Sequence, residues 1–142
     1  MENYDNEMKL EFISNPNNEA LARIAVASFV ASLDPTIEEI SDIKTAISEA
    51  VTNCIIHGYE NTKGIVTIKS RIKEKTLEVE IIDNGKGIEN IEKAKEPLYT
   101  TKPEEERSGM GFTIMENFMD EMKVESTLGQ GTKVSMKKII KN

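Results

Sequence analysis

The amino-acid sequence predicts an α+β fold: a two-layer α/β sandwich with helices on one face of a mixed, mostly antiparallel sheet. Three observations carry this expectation. Short segments alternate apolar and polar residues, two longer runs repeat at helical spacing, and the elements come in the order β-α-α-β-β-loop-α-β-β. No internal repeat or low-complexity tract breaks that order, so residues 1–142 read as one continuous domain.

Met8, Leu10 and Phe12 alternate with Lys9 and Glu11, which predicts an opening strand. The Asn15-Pro16-Asn17-Asn18 cluster ends it and offers asparagine caps for a helix from about Glu19 to Leu33. That helix is expected to bury Leu21, Ile24 and Ala25 and to stop at Asp34-Pro35. Thr36 and Glu39 form a capping-box pair opening a second helix, which runs to about His57 with Gly58 as its stop. Strands follow at about Ile65–Ile72 and Thr76–Ile82, joined through Lys73-Glu74-Lys75. The charged stretch to Ser108 holds Pro97, Pro103 and Glu104-Glu105-Glu106, and reads as a mobile loop with one helical turn. A third helix spans about Phe112 to Glu121. Lys123–Ser126 and Thr132–Ile139 close the chain as a hairpin around Gly129-Gln130-Gly131.

Composition narrows the class. The chain has 142 residues, 38% hydrophobic and 30% charged, which suits a globular core rather than disorder. Its single cysteine, Cys54, forms no internal disulfide and fits a reducing compartment. The acidic N-terminus and the lack of a long apolar run argue against a signal peptide or a membrane span, and the expected location is cytoplasmic. A net charge of −7 disfavours binding to a phosphate backbone and favours a protein partner or a small ligand.

Four places could carry chemistry. On the second helix Ile40, Ile43, Ile47, Val51 and Cys54 form a core-facing stripe. Glu49 and Asn53, four residues apart, share a different face. They suit a general base and a metal-binding carbonyl oxygen, or simply a solvated polar face. Asp83-Asn84-Gly85-Lys86-Gly87 leaves a strand directly. Asp83 can accept a hydrogen bond from an amino group and the glycines allow close backbone approach, although Asp-Asn-Gly is also ordinary turn chemistry. Gly109-Met110-Gly111, after Arg107-Ser108, opens a helix whose free N–H groups favour an anion, or serves as a flexible cap. Gly129-Gln130-Gly131-Thr132 is first a hairpin turn, with a hydroxyl for a ligand as the lesser reading. The only histidine, His57, reads as a structural group at a helix C-terminus, and Cys54 as a small buried hydrophobe. Met110, Met115, Met119 and Met122 read as core filler, and Arg23 by default as a solvated charge.

In order along the chain, these motifs resemble the GHKL ATP-binding superfamily. They are Ser48–Gly58 with Glu49 and Asn53, Asp83–Ile88, Ser108-Gly109-Met110-Gly111-Phe112, and Gly129–Thr132. The pattern is most similar to the small anti-sigma factor serine kinases of spore-forming bacteria. The resemblance implies a GHKL-type sandwich that binds ATP and Mg2+. It makes Glu49 the general base, Asn53 the magnesium ligand and Asp83 the acceptor for the adenine amino group. Gly85, Gly87, Gly109 and Gly111 would shape the nucleotide pocket, with Arg107, Ser108, Met110, Phe112 and Thr132 beside them. An ATP lid would span about residues 89–108, with Thr100, Thr101 and Lys102 near the phosphates. It implies a homodimer that holds a sporulation sigma factor inactive, phosphorylates a serine of an anti-anti-sigma protein, and docks both partners near Arg23. Cys54 stands where the family usually has alanine, a change expected to matter little. The rival readings are a detached histidine-kinase catalytic domain, a motion-driving ATPase, and a nucleotide-gated sigma-binding module without transfer activity. The first lacks a phosphoacceptor histidine outside the nucleotide helix, and the second usually needs further domains.

Overall fold

The computed structural model describes residues 3–96 and 111–142. Five strands form one sheet: β1 (Asn6–Ile13), β2 (Ile65–Lys73), β3 (Thr76–Asp83), β4 (Glu121–Thr127) and β5 (Gly131–Ile139). Their spatial order is β1-β2-β3-β5-β4, and every pairing among the described strands is antiparallel. The parallel component allowed by a mixed sheet is therefore not seen among them.

Alternation decides which face is buried. Val66, Ile68 and Ile72 of β2, Leu77, Val79 and Ile81 of β3, and Val134 and Met136 of β5 all point to the helical layer. The other face is charged, and cross-strand pairs such as Arg71–Glu80 (4.0 Å) and Lys133–Glu80 (3.7 Å) lie over it.

The helical layer is built around α2 (Ile37–Asn53), which packs between α1 (Asn18–Val30) and α4 (Gly111–Phe118). A one-turn α3 (Ile91–Ala94) lies in the connection after β3. In α2, Ile43, Ala46, Ile47, Ala50 and Val51 are buried, continued by Cys54, so the expected stripe does face the sheet. Thr36 and Glu39 make the full capping box that their spacing predicts.

Four local expectations are corrected. No asparagine side chain caps α1: Asn17 stands at the N-cap with helical backbone, and Asn15 Oδ1 instead accepts its N–H at 2.9 Å. α1 ends at Val30 and tightens into a 3-10 turn, Ala31–Leu33, before Asp34 turns left-handed at φ 52°. The buried stripe of α1 is Ala22, Val26 and Val30, while Leu21 and Ile24 are 48% and 60% exposed. Finally, α4 stops at Phe118 and Glu121 already belongs to β4. Met115 and Met119 are buried core, as expected.

Candidate functional site

A cavity of about 850 Å³ opens between the end of α2, the strand ends and the segment carrying α3. Its lining includes Asn53, Cys54, His57, Asp83, Gly87, Gly111, Phe112 and Thr132. The apolar phase of β3 explains how a carboxylate reaches its floor. Leu77, Val79, Ile81 and Asp83 occupy alternate positions on the buried face, so Asp83 stands where the pattern would otherwise place a hydrophobe. It is 4% exposed. Its Oδ1 accepts the Gly85 N–H at 2.9 Å, within an Asx-type turn.

Burial pushes the Asp83 carboxyl above the usual aspartate range. The Gly85 N–H, the Cys54 thiol and the Thr132 backbone hold it partly back. Cys54 is thus more than a small hydrophobe, because its buried thiol lies beside the carboxylate. Burial first, then the charge of Asp83, raises the Cys54 thiol well above the ordinary range and keeps it neutral. A protonated thiol beside a buried carboxylate can donate to it.

The glycines predicted here are used for close approach. A Cβ on Gly85 would lie 2.0 Å from the carbonyl oxygen of Gly58. Gly87 has φ +77° and packs on the backbone of Thr127. At the other end of the cavity, a Cβ on Gly111 would sit 3.2 Å from Asn53 Nδ2 and 3.3 Å from Glu49 Oε2. The first residue of α4 therefore faces the polar pair on α2. Glu49 and Asn53 are half-buried rather than fully solvated. Thr132 pairs with Asp83 across β3 and β5, and its hydroxyl lies 2.8 Å from that of Ser126.

The structure thus brings Glu49, Asn53, Asp83, Gly85, Gly87, Gly111, Phe112 and Thr132 around one region. Thr100, Thr101, Lys102, Arg107, Ser108, Gly109 and Met110 lie outside the described residues. His57, read as structural, lines the cavity, because α2 continues into a single π-turn, Cys54–Gly58, that turns this segment toward Asp83. Arg23 does not line the cavity and is not simply solvated: it pairs with Glu19 at 2.9 Å and reaches Ser48 Oγ at 3.4 Å.

Two contributors escaped the sequence reading. Ser126 accepts the Ile88 N–H at 2.8 Å and donates to the Gly131 carbonyl, joining the loop after β3 to the last hairpin. Its signal is the same as that of Asp83, a polar residue in the inward phase of Met122 and Val124. The second is Tyr59, whose hydroxyl accepts the Asn84 N–H at 2.7 Å. Among the described residues, no helix is long and apolar enough to cross a membrane.

Comparison with known proteins agrees with this fold. Residues 12–138 match the family model described as a histidine kinase-like ATPase domain. The chain is 64% identical over 137 residues to an anti-sigma F factor of Thermoanaerobacter sp. (strain X514), covering 96% of each. It is 61% identical over 136 residues to the anti-sigma F factor of Clostridium kluyveri (strain ATCC 8527), again covering 96% of each. Among solved structures, the RsbU and RsbW domains of Rv1364c from Mycobacterium tuberculosis share the fold. That match has a TM-score of 0.68 at 18% identity and covers 95% of this chain and 32% of that one. The chain therefore belongs to the histidine kinase-like ATPase family and, within it, to the anti-sigma F factors.

Proposed function

We propose that this protein holds a sporulation sigma factor inactive and uses ATP with Mg2+ to phosphorylate a serine of an anti-anti-sigma protein. The observation that carries this reading is the cavity lined by Asp83, Asn53 and Gly111, with the Glu49 carboxylate close behind Gly111 where α2 meets α4. In this reading Asp83 accepts the adenine amino group, and the glycine turns let the chain close on the nucleotide. Glu49 accepts the proton of the substrate serine as its oxygen bonds to the γ-phosphorus and the bond to the bridging oxygen breaks. ADP leaves with that oxygen. Such a transfer asks the protein mainly for positioning and charge stabilisation.

Mg2+ suits this corner because it keeps several waters and phosphate oxygens and needs few protein ligands. The Asn53 carbonyl oxygen beside Glu49 is such a donor. Among the described residues, no group of three or more His, Cys, Asp or Glu would hold a metal alone. When bound, the ion neutralises charge on the phosphates. The segment of about residues 89–108 acts as an ATP lid, a role supported by the cations Lys102 and Arg107 in its sequence. Amide exchange there should slow more with ATP than with ADP, and equal protection would count against it. Arg23, between exposed Leu21 and Ile24, supports a docking face on α1.

Incubation with γ-labelled ATP, Mg2+ and the anti-anti-sigma protein tests the whole reading. Label on a serine of that protein is the expected outcome. Label on the chain itself, free phosphate alone, or no reaction would point instead to a histidine kinase-like activity, an ATPase, or a nucleotide-gated binding module.

A further inference from the structure

The corner that follows α2 carries an arrangement that no assigned role explains. The Tyr59 ring packs against Gly64, where a Cβ would stand only 2.3 Å from the ring. This packing aims the phenol at the turn that leaves β3. There the hydroxyl accepts the Asn84 N–H at 2.7 Å and donates to the carbonyl of Ile65, the first residue of β2. One residue earlier, the Gly58 carbonyl accepts the Lys86 N–H at 2.9 Å. The Gly58 backbone also abuts the Asp83 carboxylate, since a Cβ there would lie 2.8 Å from Oδ2. Both ends of the Asn84–Lys86 turn are therefore tied to residues 58–59. Asp83, immediately before the turn, is held between them.

We propose that Tyr59 is a positioning residue for adenine selection, its hydroxyl fixing the backbone directly after Asp83 so that the carboxylate meets an amino group at the right place. The inference rests on the reading of Asp83 as the adenine acceptor. Its physical basis is the narrow tolerance of a single hydrogen bond, which weakens steeply as the donor angle falls away. Without the phenol oxygen, the Asn84 N–H loses its acceptor and only the Lys86 N–H still bonds the turn to residues 58–59. An acceptor that can rotate discriminates less between an amino group and the carbonyl that guanine presents at the same place.

Tyr59→Phe keeps the ring on Gly64 and removes only the hydroxyl. Titration of the full chain with ATP and with GTP should show ATP binding weakened by roughly fivefold, the size of one lost neutral hydrogen bond. GTP binding should change little, so the ATP/GTP preference falls by a similar factor. In an Asp83→Asn background the same change should leave that preference where Asp83→Asn alone puts it. Amide exchange at Asn84 should quicken in the folded Tyr59→Phe protein. A lowered melting temperature with an unchanged ATP/GTP preference would make Tyr59 merely structural and overturn the proposal. If Asp83→Asn and Tyr59→Phe both lower the ATP/GTP preference, both readings stand. If Asp83→Asn loses selectivity while Tyr59→Phe keeps it, only the Tyr59 inference fails. If Asp83→Asn itself leaves ATP binding intact, the adenine reading fails and the Tyr59 inference falls with it.

Discussion

Asp83 shows how one residue can oppose stability and function. Its carboxyl is raised by burial, so the folded chain holds that proton more tightly than the unfolded chain does. The resulting stabilisation is present below the ordinary aspartate range, and it is lost as pH rises through the raised folded value. Above that value, burial of the charged carboxylate counts against folding. Asp83→Asn should therefore raise the melting temperature of the nucleotide-free protein at neutral pH, with the gain disappearing in acid, while ATP binding weakens. A melting temperature that shifts equally at both pH values would show that the titration of Asp83 does not matter to stability. Asp83 was legible in the sequence because it ends an alternating strand in the apolar phase. The Cys54 donor was not, because the helical stripe says only that the thiol is buried; its neighbour comes from a strand 29 positions later.

At the scale of elements, α2 carries both the core stripe and the polar pair, so its start must be well defined. Thr36 Oγ1 accepts the Glu39 N–H at 3.1 Å and Glu39 Oε1 accepts the Thr36 N–H at 2.9 Å. Glu39 also accepts the Lys141 N–H at 2.7 Å, and these bonds hold its carboxyl below the usual glutamate range. Thr36→Ala should cost about 1 kcal/mol in a denaturant titration, the usual size of a lost N-cap. No measurable loss would mean that the Lys141 contact alone anchors this end. The capping box, the hairpin and the two central strands were readable because each depends on residues close in sequence. The asparagine cap of α1 was misread because Asn15 satisfies a nearer N–H first. The exposure of Leu21 and Ile24 was misread because helical spacing allows two apolar faces and only packing against α2 selects one. The π-turn at Cys54–Gly58 has no composition signal; it reflects the fit of this segment against Asp83 and Gly85.

For the whole molecule, no residue of α1 lines the cavity, which suits the proposed exchange of partners while nucleotide is held. Arg23 is oriented by Glu19 on α1, and a half-buried i,i+4 helix pair of this kind contributes only about 0.3–0.5 kcal/mol to folding. Arg23→Ala should therefore leave the melting temperature and ATP affinity nearly unchanged. Binding to both the sigma factor and the anti-anti-sigma protein should weaken, by about 2 kcal/mol if the cation is desolvated in the complex. Full affinity for both would leave Arg23 a surface charge, and loss for one alone would separate the two docking sites. The homodimer that the sequence resemblance implies is tested by sedimentation with nucleotide: the mass of two chains is expected, and a monomer at working concentration would contradict it. The central claim concerns Glu49, and one measurement reaches it directly: single-turnover transfer from labelled ATP to the anti-anti-sigma serine by Glu49→Gln, with ATP binding measured on the same sample. The account predicts that binding is retained while transfer slows by roughly 10²–10⁴-fold. Transfer at the parent rate, with ATP bound as before, would contradict it.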